Sequence, residues 1–191
     1  MFYKIGLFIT ALSLFVSCGN NITSEIKENV IKKDSVEVVL DDCTKRFNEA
    51  KRLDNILLKA TVVNKDIADQ AINAFYEYAS NCKTDTLAPV FLVKAGQVAQ
   101  SVRKFTQAQS FFKKCIDEFP KFKSRGAAVF LLAQLYDDPT MLNNESEAST
   151  LYYQILREYP QTSYANDAKA CIKNLGKSDE ELVKEFLKKN K

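Results

Sequence analysis

Two blocks of this chain decide its fold. One reads Phe105-Thr-Gln-Ala108-Gln-Ser-Phe-Phe112-Lys-Lys-Cys115-Ile-Asp-Glu-Phe119-Pro120. The other reads Ser146-Glu-Ala148-Ser-Thr-Leu-Tyr152-Tyr-Gln-Ile155-Leu-Arg-Glu-Tyr159-Pro160. In each, an alanine is followed four residues later by an aromatic, three later by Cys or Ile, and then by an aromatic-proline pair. Steps of four and three place these residues on one face of a helix. The proline stops the helix, because its ring clashes with a continuing turn. A second amphipathic segment precedes each block: Pro89-Val-Phe-Leu-Val-Lys-Ala-Gly96-Gln-Val-Ala before the first and Val129-Phe-Leu-Leu132-Ala133-Gln-Leu-Tyr136 before the second. The spacing therefore predicts two copies of a helix pair, at about 89–122 and 123–162, and self-similarity at this scale is the mark of a repeat architecture.

The surrounding sequence extends the pattern. Residues 43–58 carry Phe47, Ala50, Leu53, Leu57 and Leu58 on one face. Residues 66–81 carry Ile67, Ala68, Ala71, Ile72, Phe75, Tyr78 and Ala79 at helical spacing, as a buried stripe requires. Ala71, Phe75 and Tyr78 match the helix-B pattern of the two blocks, with Lys83 where the proline would stand, so this is a degenerate earlier repeat. Asp85 or Thr86 is positioned to cap the next helix, and Pro89 lies in its first turn, where a missing N–H costs little. Downstream, residues 163–175 form another helix, with Gly176 placed as a C′ glycine. Ser178 and Glu181 have the S-x-x-E form of a capping box. They open a final helix whose Leu182, Val183, Phe186 and Leu187 are expected to cover the open end of the array. The fold expected is all-α: a right-handed solenoid of about three helix pairs over residues 43–191, with no sheet.

The composition agrees. Apolar residues make up 46% and charged residues 27%, with 5 Gly and 4 Pro among 191 residues, which argues for long helices rather than a turn-rich β fold. The formal net charge of +3 gives no broad basic field, so nucleic acid is not indicated. The chain has no His. That removes His-ligated zinc and Ser-His or Cys-His catalytic pairs.

Residues 1–17 read as a secretory signal: Lys4, then an apolar run from Ile5 to Val16 that is too short to span a bilayer. The run ends in Leu14-Phe15-Val16-Ser17-Cys18-Gly19, similar to a bacterial lipobox, although Phe15 departs from the usual aliphatic residue. Cys18 is the expected lipidation site. A diacyl anchor plus an acylated amine holds a protein on a membrane stably. No Asp follows Cys18, which by resemblance to better-known lipoproteins implies the outer membrane. Residues 18–42 are read as the lipidated Cys and a flexible tether. The weak alternation at Val36, Val38 and Leu40 is chance, with a partner-pairing strand as the other reading.

The helix pairs resemble tetratricopeptide repeats, whose period is about 34 residues and whose consensus includes helix-B Ala-x3-Phe and a closing Pro. The 40-residue step from Pro120 to Pro160 leaves its surplus to the turns at 123–125 and 137–144. With Cys18, the blocks Asp117-Glu118-Phe119-Pro120 and Arg157-Glu158-Tyr159-Pro160, and the closing run 175–181, the chain resembles periplasmic tetratricopeptide lipoproteins. These are the BamD-like and Tol-Pal-associated proteins and small lipoproteins of Bacteroidetes type. That resemblance implies a non-catalytic scaffold in the cell envelope, facing the periplasm and binding an envelope protein or peptide, with no cofactor and no metal. Its concave face is lined by the first helix of each pair, which here offers Val93, Gln97 and Gln100, then Phe130, Gln134 and Asp137. The amides suit an extended peptide backbone and Phe130 an apolar anchor. The bland reading of Val93 and Phe130 is packing between repeats. A peptidoglycan or other glycan binder is the alternative function; it would favour exposed aromatics on one face.

Cys43, Cys82, Cys115 and Cys171 contain no C-x-x-C pair, which disfavours a zinc ribbon. Cys115 and Cys171 fall on inward stripes, where free Cys acts as a small hydrophobe. Cys43 and Cys82 sit at helix edges. An exported compartment permits a bond between them; the sequence leaves open whether it forms, since four cysteines allow three complete pairings among which it cannot choose. The acid pairs Asp137-Asp138, Glu145 with Glu147, and Asp179-Glu180-Glu181 lie at turns or helix starts, where carboxylates favour the helix dipole. Catalysis would need them to converge in a dry cleft.

Overall fold

The computed structural model describes residues 30–189, with side chains over 42–188 (Asp179 excepted). The signal segment 1–17, Cys18 and the tether as far as residue 29 lie outside the described residues. The chain divides into two units, Met1–Val38 and Val39–Lys191. The described residues are all-helical, with eight helices and no strand: α1 Val30–Lys59, α2 Lys65–Asn81, α3 Ala88–Ser101, α4 Phe105–Glu118, α5 Arg125–Asp137, α6 Glu145–Glu158, α7 Ser163–Asn174 and α8 Asp179–Lys189. In the second unit each helix from α2 to α6 packs on the next in the chain, and α5 also touches α7.

The expected helix starting at Cys43 begins instead at Val30. Residues 30–42 are therefore helix rather than flexible tether, and the alternation at Val36, Val38 and Leu40 is not a strand. The physical reason is visible in the spacing: Val36, Leu40, Cys43, Phe47 and Ala50 fall three or four apart, so the apolar period of the downstream helix runs on upstream.

Among the buried residues are Ala50 and Leu53 of α1, Ala71, Ile72, Phe75 and Tyr78 of α2, and Phe91 and Leu92 of α3. The core continues through Phe112 and Cys115 of α4, Leu132 and Ala133 of α5, and Tyr152 and Ile155 of α6. The alanine, aromatic and small or apolar positions that define each block are thus its inward faces. Gly96 shows why the first helix of a pair needs a small residue here. A Cβ at that position would lie 2.4 Å from the Phe112 ring, so α3 and α4 approach closely only because the position is empty. Gly126 plays a milder form of the same part, its would-be Cβ meeting the Tyr159 ring at 3.0 Å.

Helix ends follow local chemistry. Asn64 caps α2 by accepting from the N–H groups of Asp66 and Ile67. Asn144 caps α6 through the Glu147 N–H. At α3 the cap residue is Leu87, with no side-chain bond; Asp85 instead accepts from the Leu87 N–H at 2.8 Å. Gly176 adopts φ +75° just past the α7 cap, the left-handed conformation a C′ residue needs. Ser178 and Glu181 form the reciprocal box: the Ser178 N–H donates to Glu181 at 2.9 Å, and the Glu181 N–H donates to the Ser178 hydroxyl.

Cys43 and Cys82, which the sequence left open, are joined in a disulfide, with Cα atoms 5.8 Å apart. The bond links α1 to the residue that ends α2. Helical periodicity reveals that each cysteine lies near a helix edge but not that two helices bring them together. The expectation for α8 is corrected. Val183 is 57% exposed, Phe186 66% and Leu187 57%. Leu182 is half-buried, and the other three leave most of their surface outward rather than turned onto the neighbouring helices.

Candidate functional site

The six candidate face residues come from the two first-helices, α3 and α5. Val93 and Phe130 are half-buried and packed against the core. The Phe130 ring lies 6.0 Å from that of Tyr152 and 5.7 Å from that of Tyr164, so it fills space between α5, α6 and α7. Gln97 and Gln134 are exposed. The Gln100 amide donates to the Met141 sulfur at 3.3 Å. Asp137 accepts from the Tyr152 hydroxyl at 2.9 Å. The two glutamines are therefore the members of the set open to a partner, while Gln100 and Asp137 are already engaged within the protein.

Gln134 and Asp137 meet in a cleft of about 940 Å³. Its other walls come from the turn after α5 (Asp138, Pro139), from Cys171 of α7 and from the α7–α8 connection (Lys177). Val93, Gln97, Gln100 and Phe130 do not line it. The α7–α8 contribution escapes sequence reasoning, because it depends on the fold at Gly176, whose would-be Cβ faces Glu145 at 3.0 Å. The only local signal is the glycine itself.

Two groups in the cleft, Tyr152 and Cys171, are held protonated by burial. Burial first, then the neighbouring Cys171 and Asp137, pushes the Tyr152 phenol far above its ordinary value. It therefore stays a donor and holds Asp137. Burial also raises the Cys171 thiol, and pushes Cys115 up to about 12. Neither is a thiolate at neutral pH, which nucleophilic attack and metal binding both require. Among the described residues no group of three or more Cys, Asp or Glu is placed to hold a metal ion.

A hub outside the expected set is Arg125, at the start of α5. Its Nε donates to the Ile116 carbonyl at 3.0 Å. Its Nη1 donates to Glu158 at 3.0 Å and to the Tyr159 hydroxyl at 2.8 Å. One guanidinium thus ties the ends of α4 and α6 to α5. A surface groove of about 630 Å³ lies on the second-helix side, where Tyr76 of α2 meets Phe111 and Lys114 of α4, with Asn73, Gln107 and Ser110 around them.

No family model matches the chain, and no curated protein or solved structure matches it.

Proposed function

We propose that this chain is a non-catalytic, membrane-anchored scaffold of the bacterial cell envelope, built as a tetratricopeptide-like right-handed solenoid of about three helix pairs. The anchor is lipid on Cys18, at the outer membrane and facing the periplasm. The scaffold binds an envelope protein or peptide through the first-helix face, with assembly or maintenance of the envelope as its role. One observation carries the reading. Gln97 of α3 and Gln134 of α5 hold equivalent places in the two copies, and both side chains are exposed with no hydrogen-bond partner among the described residues. Two matched, unsatisfied amides are what an extended peptide backbone needs. The chain-ordered packing from α2 to α7 supports the solenoid. Val93 and Phe130 serve this face as its packed floor.

The test is crosslinking in intact cells followed by recovery of the lipidated protein. A specific envelope protein should be recovered, and lost on Gln97→Ala with Gln134→Ala. Recovery unaffected by the double change would move the site elsewhere. Cys18→Ala should release the protein from the membrane fraction; unchanged retention would remove the anchor from the account.

One observation favours a glycan-binding reading. Tyr76 on α2 and Tyr153 on α6 each directly follow the buried aromatic of their helix, and are 36% and 54% exposed. They form matched aromatic positions on the second-helix side. Retention on purified cell-wall sacculi, with no protein partner, would decide for that reading.

A further inference from the structure

In a stack of helices the terminal element needs a polar outer face to remain soluble. Here α8 does the reverse. Val183, Phe186 and Leu187 stand more than half exposed along one side, and Val183 and Leu187 share a surface depression with Glu180, Glu181 and Lys184. A contiguous exposed apolar patch rimmed by charge marks an interaction surface.

The charges along α8 say what covers it. Carboxylates sit in the first turn, at Glu180 and Glu181, and ammonium groups in the later turns, at Lys184 and Lys188. Among the described residues Glu180, Lys184 and Lys188 have no ion-pair partner, and Glu181 is engaged only by the capping box. A helix acidic at one end and basic at the other complements itself when reversed. In an antiparallel pair of two α8 helices, Val183 and Leu187 of each copy meet in the middle. Glu180 and Glu181 of one copy then lie beside Lys188 of the other, twice over by symmetry. In a parallel pair the acidic first turns lie side by side, as do Lys188 and Lys188, so both ends set like against like. An isologous, two-fold arrangement is also the commonest closed symmetry of homo-oligomers.

We propose that the chain self-associates through α8, pairing antiparallel with the α8 of a second copy. The face is one short helix, below the roughly 1,200 Å² of stable complexes, so the dimer is weak and concentration-dependent. An anchor on one membrane surface would raise the local concentration and favour it.

The test is sedimentation equilibrium of the full chain in density-matched detergent. The wild-type chain should show a reversible monomer–dimer equilibrium, and Val183→Asp should abolish it. Glu180→Lys and Lys188→Glu should each weaken dimerisation about tenfold, since each converts two attractive rim contacts per dimer into repulsive ones. An equimolar mixture of these two variants should regain wild-type association to within about threefold, because their antiparallel heterodimer sets lysine against glutamate at both rims. A wild-type chain monomeric at every concentration overturns the proposal, as does a mixture no tighter than its components. Protection of the 180–188 amides from hydrogen exchange that follows added phosphatidylglycerol vesicles, and not protein concentration, assigns the stripe to a lipid surface and equally overturns it.

Discussion

At the amino-terminal end of the helix stack, α1 is held by a disulfide, a partly buried ion pair and an aromatic cluster. At the carboxyl-terminal end, the contacts of α8 include a capping box and an ion pair. In α1, Cys43 is bonded to Cys82 and Phe47 packs its ring 5.6 Å from Tyr78 and 6.1 Å from Phe91. Asp54, only 8% exposed, accepts from Lys94 of α3 at 2.6 Å, and Arg46 pairs with Glu77 at 3.0 Å. In α8, Lys177 pairs with Glu185 at 2.6 Å, and the large apolar side chains face outward. The difference teaches that a terminal helix is fixed by whatever specific bonds reach it. α1 is locked on; α8 leaves its apolar face largely exposed.

The comparison breaks most sharply at the disulfide. Closing a loop with a sequence separation of 39 contributes about 4 kcal/mol in the chain-entropy account. Changing Cys43→Ala with Cys82→Ala should lower the urea midpoint accordingly and speed hydrogen exchange across α1 and the end of α2, leaving α5–α7 as before. Uniform loss of protection across all helices would show that α1 is not a separable end.

The next effect in size tests the body between the two ends. Gly96→Ala forces a methyl into the Phe112 ring, an overpacking that costs about 1–3 kcal/mol. Thermal unfolding should shift down by several degrees. The same substitution at Gly126, with its contact to Tyr159 at 3.0 Å, should cost less. If the two variants lose equal stability, the close α3–α4 approach does not limit the fold.

Lys94→Met sharpens the claim that α1 is locked. It leaves the Asp54 carboxylate largely buried without its partner, at a cost of about 1–3 kcal/mol. Asp54→Asn with Lys94→Met should recover part of that loss in chemical denaturation, since no unpaired charge then remains.

The smallest effects are expected at the rim. Glu181→Ala removes one half of the α8 box and should cost about 0.5–1 kcal/mol of helix stability, read as faster exchange in α8 alone. Glu118 has its pKa held below the ordinary carboxylate value by hydrogen bonds from Lys114 and then Lys83. A depressed pKa gives stability that is present above the unfolded carboxylate value and is lost as pH falls through the folded one. Lys83→Gln should therefore lower stability slightly at neutral pH and flatten its fall below about pH 4.5, so that the two profiles converge in acid.

Much of the body was legible because its signals are local. The steps Ala108–Phe112–Cys115 and Ala148–Tyr152–Ile155 mark inward faces through spacing alone, and those residues are buried. Gly176 and the Ser178–Glu181 pair announce helix boundaries through backbone chemistry that acts within four residues. The upstream reach of α1 was obscured because charged residues over 25–37 resemble a tether, although Val36, Leu40 and Cys43 already carried the helical step. The Cys43–Cys82 bond was not legible, since it depends on two helix ends meeting in space. The candidate face was legible in part. Equivalence of Gln97 and Gln134 follows from the repeat. That Phe130 is engaged by Tyr152 and Tyr164, and Asp137 by the Tyr152 hydroxyl, depends on contacts between helices that no local pattern encodes. The stripe on α8 was visible in the sequence; the direction it faces was not.

The central claim is that a protein partner meets the first-helix face rather than the second-helix side. The most direct measurement places a photo-crosslinking residue at Gln97 or Gln134 in one set of strains and at Tyr76 or Tyr153 in another, followed by irradiation of intact cells. The account predicts one discrete higher-mass protein adduct from both glutamine positions and none from the tyrosine positions. A discrete adduct from the tyrosine positions, with none from Gln97 or Gln134, would contradict it.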